Sequence, residues 1–199
     1  MEFSLSELNN VLGDIKNLNE GKKDSLNFKN ISIDSRTLLK NDLFIAINGK
    51  NFDGHSFLLD VLDKGVKSVV IKKGMQRLLP SNFPYWVVND TLEAFQKLAL
   101  LKRKKLNIPI IAVTGSVGKT TTKEMIGGVL NKLGRIKLSH SNFNNEFGVG
   151  LTILDTDLKD KALVLEMGMR GLGQIENCLN IVNPILQLLL TLAQLILDC

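Results

Sequence analysis

The stretch TGSVGKTTTKEM, residues 114–125, decides how the chain folds. The apolar run LNIPIIAV (residues 106–113) leads into it, and a helical pattern leads out. Gly115 and Gly118 let the backbone turn tightly and bring its N–H groups up to an anion, where a side chain would obstruct. A helix beginning near Lys119 adds unpaired N–H groups and the positive end of its dipole. Lys119 can reach the terminal phosphates of a nucleotide, and the Thr120 hydroxyl can coordinate Mg2+. Gly115, Ser116, Val117, Gly118, Lys119, Thr120 and Thr121 are therefore the candidate nucleotide contacts. The common pattern G-x-x-x-x-G-K-[ST] would need glycine where Val113 stands, so the loop is short of one element of that motif. A strand–helix turn that merely contains Gly and Lys is the alternative. Glycine, lysine and threonine together at such a junction weigh against it.

Downstream of the loop, Met125, Ile126, Val129, Leu130 and Leu133 fall on one apolar face of a helix predicted over residues 119–133. Strands are predicted over Ile136–Leu138 and Ala162–Glu166, separated by a polar loop. Glu166 closes the second strand, and in open α/β sheets ligands collect at such carboxyl ends. It is the candidate second group for a Mg2+–nucleotide, and a solvent-facing glutamate is the alternative. SNFNNEFG (residues 141–148) carries Asn144 and Asn145, whose composition alone reads as turn chemistry.

Upstream, DLFIAI (42–47), SVVI (68–71) and YWVV (85–88) read as strands. Between the first two, Phe57, Leu58, Val61 and Leu62 share a helical face, and Gly65 suits a C-terminal cap. Asp90 and Glu93 have the spacing expected of a capping box for the helix that follows. Strands alternating with helices give an α/β protein, with domains at residues 1–89 and 90–199.

Bulk properties narrow the classes. The 199 residues are 44% hydrophobic and 23% charged, with a net charge of +5, which suits a soluble globular chain tolerant of anions. The densest basic cluster, Lys102-Arg103-Lys104-Lys105, lacks interleaved aromatics and reads as the solvated end of a helix, not a nucleic-acid patch. Cys178 and Cys199 form no metal spacing and no disulfide framework, which agrees with a cytoplasmic location. The N-terminus is no signal peptide. The most apolar segment, Ile185–Leu197, is shorter than the roughly 20 residues of a membrane span, so no membrane association is expected.

Taken together, these segments resemble the Mur ligases of peptidoglycan synthesis, ATP-dependent enzymes that join amino acids to a UDP-sugar carboxylate. TGSVGKTTTKEM is similar to the family's short phosphate loop, which also lacks the early glycine. NFNNEFG (142–148), LEMGMRGLGQI (165–175) and residues 32–71, SIDSRTLLKNDLFIAINGKNFDGHSFLLDVLDKGVKSVVI, resemble further family segments. The resemblance implies a small N-terminal α/β uridine-binding domain followed by the first part of a P-loop-type parallel-sheet ATPase domain. It is strongest to members that add D-Ala-D-Ala to UDP-N-acetylmuramoyl-tripeptide, the implied partners, with ATP and Mg2+ as cofactors. Lys119 and Thr120 would bind phosphates and metal, Glu166 would be a Mg2+ ligand, and Asn144 and Asn145 would lie in the active-site loop. Ser35 and Arg36 would hold the UDP part, with a simple turn at Asp34-Ser35-Arg36 as the alternative. His55 is either part of that site or a packed histidine. The implied reaction phosphorylates the tripeptide carboxylate to an acyl phosphate, which the amine of D-Ala-D-Ala then attacks.

Family members run to about three domains, so a C-terminal domain is expected to be absent here and the chain to be inactive as a ligase. After Pro184 the sequence ILQLLLTLAQLILDC departs from the family's hydrophobic strand and T-N-[IV]-G-x-A-H. Codons for this tail can be chosen that spell A-I-I-T-N-I-G-T-A-H in another frame, so an out-of-frame tail from Ile185 is expected. The coding DNA decides it. Other readings are a nucleotide- or UDP-sugar-binding module without turnover, the sister Mur ligase that adds the third residue, and a signalling or transport NTPase. The last lacks its D-x-x-G after the loop.

Overall fold

A computed structural model of the chain describes residues 3–19, 21, 26–49, 52–140, 143–168, 174–182 and 184–190. The chain divides into two compact units, Met1–Leu98 and Ala99–Cys199.

In the first unit, β1 (Phe3–Ser4) pairs antiparallel with β2 (Asn27–Phe28). Helix α1 (Leu5–Leu12) starts from a capping box in which Ser4 and Glu7 satisfy each other's backbone N–H groups. Four parallel strands form the main sheet in the order β3 (Ile31–Ser32), β4 (Leu43–Ile45), β5 (Val69–Lys72), β6 (Tyr85–Val88). Between β4 and β5 a 3-10 turn, Gly54–Phe57, runs into α2 (Leu58–Asp63). Leu58 and Val61 are the residues α2 buries, against Leu38, Phe44, Val69 and Ile71. Of the predicted face, Leu58 and Val61 thus pack on the sheet, while Phe57 and Leu62 are half-buried. Strand β4 is shorter than the predicted 42–47, because after Ala46 the Ile47 N–H turns back to the Ile45 carbonyl at 3.0 Å. Trp86 is wholly buried and donates its indole N–H to Asn9 Oδ1 at 3.0 Å, which satisfies the one polar atom of its ring.

Helix α3 (Thr91–Lys105) spans the division between the units. Asp90 Oδ1 accepts from the N–H groups of Leu92 and Glu93, and Glu93 itself meets Lys97 Nζ at 2.7 Å. The basic run at its end is only in part the solvated tip the sequence suggests: Lys104 is exposed, but the two residues before it are engaged. Lys102 is buried, which pushes its pKa down, and Arg103 donates to the carbonyls of Val182 and Leu106.

The second unit is a parallel sheet in the order β10 (Leu186–Leu190), β7 (Ile110–Gly115), β9 (Ala162–Glu166), β8 (Ile136–Leu138). All five residues of β9 are buried, as expected of a strand covered on both faces. The chain leaves β7 through α4 (Lys119–Leu130) for the edge strand β8, returns between them as β9, then crosses to the far side of β7 as β10. That reversal puts a topological switch point beside β7, where open sheets hold ligands. The predicted polar loop contains a helix, α5 (Glu146–Leu154), and α6 (Gln174–Val182) follows β9. Buried Cys178 on α6 has its thiol pushed up to about 11 by burial and the nearby Glu146 charge, so it serves as a packing residue. Of the tail expected to be out of frame, residues 186–190 form β10, and residues 191–199 lie outside the described residues.

Helix α4 does not bury the apolar face the sequence marks out. Lys123 and Gly127 point inward, while Met125 is 66% and Val129 71% exposed. Gly127 explains the reversal, since a Cβ there would lie 2.8 Å from Leu138 Cδ1, so the helix sits closely on β8.

Candidate functional site

The loop after β7 opens at the carboxyl end of the sheet. Gly115 has φ +142°, and a Cβ on it would stand 1.9 Å from the Leu190 carbonyl oxygen of the neighbouring strand, so no other residue fits. Gly118 adopts the left-handed conformation, φ +77°, immediately before α4. No side chain caps α4, which leaves its first N–H groups facing outward for an anion. Lys119 lies over the loop, its Nζ donating to the Gly115 carbonyl at 2.8 Å and the Ser116 carbonyl at 3.4 Å. Ser116 donates its backbone N–H to the Leu190 carbonyl at 3.1 Å. Val117, Thr121 and the Ser116 side chain are exposed on the loop and first turn.

Glu166 is brought against this loop from the end of β9. Its Oε2 accepts from the Thr120 hydroxyl at 2.7 Å, and its Oε1 accepts from Asn144 Nδ2 at 3.4 Å. The residue is only 3% exposed, so the solvent-facing alternative does not apply. Asn144 reaches it because two glycines make room. A Cβ at Gly168 would meet the Asn144 side chain at 3.0 Å, and one at Gly148 would meet Phe143 Cα at 2.4 Å. Gly168 N–H also donates to the Asn144 carbonyl. Asn145 takes a different part: its Oδ1 caps α5 by accepting from Gly148 N–H at 2.8 Å. The structure therefore brings together the phosphate loop, Thr120, Glu166 and Asn144, while the Asn145 side chain is spent on the helix cap.

The oxygens present suit a hard divalent cation. With its proton on the Glu166 carboxylate, the Thr120 hydroxyl keeps its lone pairs free for a metal. No group of three His, Cys, Asp or Glu side chains able to hold a metal occurs among the described residues. One carboxylate and one hydroxyl match Mg2+, which keeps waters and takes phosphate oxygens for the rest of its shell.

The predicted substrate residues of the first unit, Ser35 and Arg36, share one turn after β3. Arg36 turns back on Asp34, its Nε and Nη2 meeting the two carboxylate oxygens at 2.9 and 2.7 Å. That pair holds the Asp34 carboxyl down at about 2. Ser35 is half-buried in the same turn, so the turn reading and an outward-facing Arg36 coexist. His55 is packed: Lys72 N–H donates to Nε2 at 3.0 Å, which leaves Nδ1 to bond Asp53 at 2.5 Å. A cavity of about 520 Å³ beside it is lined by Asp53, His55, Ser56, Leu58 and Met75 among others.

Ser139 and Lys123 escaped sequence reasoning. Ser139 Oγ accepts from the Glu166 backbone N–H at 2.8 Å, and Lys123 Nζ donates to the Ser139 carbonyl at 2.7 Å. The only hint was Lys123 four residues after Lys119, on the same helical face.

The Mur ligase family, catalytic domain, matches residues 27–118, and the Mur ligase middle domain matches residues 113–197. The sequence is 40% identical over 182 residues to the UDP-N-acetylmuramoyl-tripeptide–D-alanyl-D-alanine ligase of Synechocystis sp., covering 92% of this chain and 39% of that one. MurF from Acinetobacter baumannii shares the fold with a TM-score of 0.81 and 29% identity, over 95% of this chain and 41% of that chain. MurF ligase from Thermotoga maritima in complex with ADP gives a TM-score of 0.70 at 31% identity, over 81% and 37%. The chain spans about two fifths of the length of these relatives. No helix among the described residues is long and apolar enough to cross a membrane. A short phosphate loop facing a strand-end glutamate, on a fold shared with these enzymes, completes what the two adjoining domain matches show: the chain belongs to the Mur ligase family.

Proposed function

We propose that this chain forms the UDP-substrate and ATP-binding part of a ligase that adds D-Ala-D-Ala to UDP-N-acetylmuramoyl-tripeptide through an acyl phosphate. The observation that carries the reading is the meeting of Thr120, Glu166 and Asn144 beside the uncapped start of α4. Lys119 leaves the Gly115 and Ser116 carbonyls to take the terminal phosphates, and the α4 N–H groups hold the charge behind them. Thr120 and Glu166 hold Mg2+, which supplies charge neutralisation at the phosphates. Asn144 fixes the carboxylate from its other oxygen. What these residues contribute is positioning and electrostatic stabilisation, the main needs of phosphoryl transfer to a carboxylate.

Residues 1–89 serve the UDP part in this reading, with Ser35 and the outward Arg36 as its contacts. Asn145 acts on the active-site loop by capping α5. The site chemistry requires a nucleotide pool and amino-sugar precursor, in keeping with a cytoplasmic protein.

Titration calorimetry of the 199-residue chain with ATP–Mg2+ and with UDP tests the proposal. Binding of both, with ATP affinity lost in Lys119→Ala, is the expected result. Lys119→Ala with unchanged affinity would overturn the phosphate-site reading. ADP release that depends on both UDP-N-acetylmuramoyl-tripeptide and D-Ala-D-Ala separates a ligase from a module that binds without turnover.

A further inference from the structure

Strands β8 and β9 run parallel, with Leu138 opposite Val164 and the Ser139 N–H donating to the Val164 carbonyl at 3.0 Å. In a regular parallel ladder the next bond joins the Glu166 N–H to the Ser139 carbonyl. That bond is diverted. The Ser139 carbonyl is taken by Lys123 Nζ at 2.7 Å, and the Glu166 N–H goes to the Ser139 hydroxyl at 2.8 Å. Lys123 lies on α4, is 1% exposed, and has the Glu124 carboxylate 3.1 Å from its Nζ. Burying an ammonium group is costly without partners, and among the described residues the Ser139 carbonyl and the Glu124 carboxylate serve as such.

We infer that Lys123 and Ser139 are positioning residues that set the Glu166 carboxylate against Thr120, and so tune how tightly the site takes a divalent cation with a nucleotide. Lys123 draws the carbonyl away and ends β8 at that point. The Ser139 hydroxyl then takes over the last ladder bond through a longer arm, which fixes the backbone from which the Glu166 side chain springs. Thr120 belongs to the same helix as Lys123, so α4 grips both ends of the arrangement: Glu166 by its carboxylate, Ser139 by its carbonyl. Removing Lys123 frees the Ser139 carbonyl to accept the Glu166 N–H, and the ladder resumes with the carboxylate displaced. Removing the hydroxyl leaves the Glu166 N–H without its acceptor.

The inference rests on the nucleotide–Mg2+ reading of the site. The test is ADP binding to the 199-residue chain, titrated at a series of Mg2+ concentrations and again in EDTA. In Ser139→Ala and Lys123→Met the Mg2+ concentration needed for half-maximal enhancement rises about tenfold or more, the range seen when groups behind a metal ligand are lost. Affinity in EDTA stays at the wild-type value, because Lys119 and the loop N–H groups are untouched. Ser139→Thr, which retains the hydroxyl, restores the wild-type Mg2+ dependence. A purely structural role would lower the melting temperature and weaken binding equally with and without metal, and that outcome overturns the inference. So does a wild-type Mg2+ dependence in Ser139→Ala. If Lys123→Met does not fold, Ser139→Ala, which deletes a single oxygen, decides alone. Glu166→Gln keeps the two readings apart. If it abolishes the Mg2+ effect while Ser139→Ala does not alter it, only the positioning role falls. If the wild-type chain shows no Mg2+ effect at all, the nucleotide–metal reading falls with it.

Discussion

The helices α2 and α4 each follow a sheet strand and each carry an apolar stripe, yet they use it in opposite ways. In the first unit α2 turns Leu58 and Val61 onto β4 and β5, and the stripe becomes core. In the second unit α4 presses Lys123 and Gly127 inward and leaves Met125, Val129 and the following Leu133 in the open. A shallow hollow between α4 and β7, lined by Ile111, Met125, Ile126, Val129 and Leu130, runs along that exposed stripe. The carboxylates at the carboxyl ends of strands in the two sheets differ in the same sense. Asp34, after β3, forms an ion pair at the surface, whereas Glu166, ending β9, is buried among hydrogen bonds. Amphipathic period states that a helix has two faces; it does not state which one the sheet receives. The inward face of α4 carries the lysine that bonds the Ser139 carbonyl and the glycine that lets the helix approach Leu138.

The largest expected effect lies in the core of the first unit. Leu58→Ala should cost about 2–5 kcal/mol in chemical denaturation, the usual toll for emptying a packed leucine position. Met125→Ala or Val129→Ala should change stability by less than about 0.5 kcal/mol, since neither side chain is packed. Comparable losses at Leu58 and Val129 would erase the contrast between the two helices.

A neighbouring pair of glycines sharpens it. Gly127→Ala places a methyl 2.8 Å from Leu138 Cδ1 and should destabilise by about 1–3 kcal/mol as β8 is pushed away. Gly128 has nothing within 4 Å of its would-be Cβ, so Gly128→Ala should stabilise by about 1 kcal/mol through helix propensity alone. Thermal melts of the two variants read the sign directly. If both stabilise, α4 does not sit on β8 through Gly127.

The loop after β7 was legible because its pattern is local: Gly115, Gly118, Lys119 and Thr120 lie within six consecutive positions, and their residue types carry their own chemistry. Glu166 was legible as a strand end, and strands β6, β8 and β9 have the limits that their apolar runs suggest. What stayed hidden depends on partners far along the chain. Ser139 meets Glu166 across 27 residues, and Lys123 meets Ser139 across 16. A lysine in a helix ordinarily reads as solvated, which also misled the reading of Lys102. Helix α5 was hidden because Asn145, Gly148 and Gly150 look like turn residues. The same asparagine that favours a turn also caps a helix, and only the buried Val149, Ile153 and Leu154 beyond it decide between them.

The smallest effect concerns the surface carboxylate. The Arg36 guanidinium holds Asp34 down at about 2 from its ordinary 3.8, so the pair favours the folded state when Asp34 is ionised. The sign follows from the folded pKa lying below the unfolded one. The contribution is complete above about pH 4 and is lost as pH falls through 3.8 toward 2. The Arg36 side chain is 86% exposed, so solvent screens the pair, and its small contribution shrinks further in salt. Wild type and Arg36→Ala, melted between pH 3 and 7, should therefore differ slightly at neutral pH and converge on acidification. The residues proposed to take the nucleotide and Mg2+, Lys119, Thr120 and Glu166, do not include Arg36, so ADP binding with Mg2+ at neutral pH should be unchanged in the variant. A loss of nucleotide binding in Arg36→Ala would overturn the assignment of the nucleotide to the loop of the second unit alone.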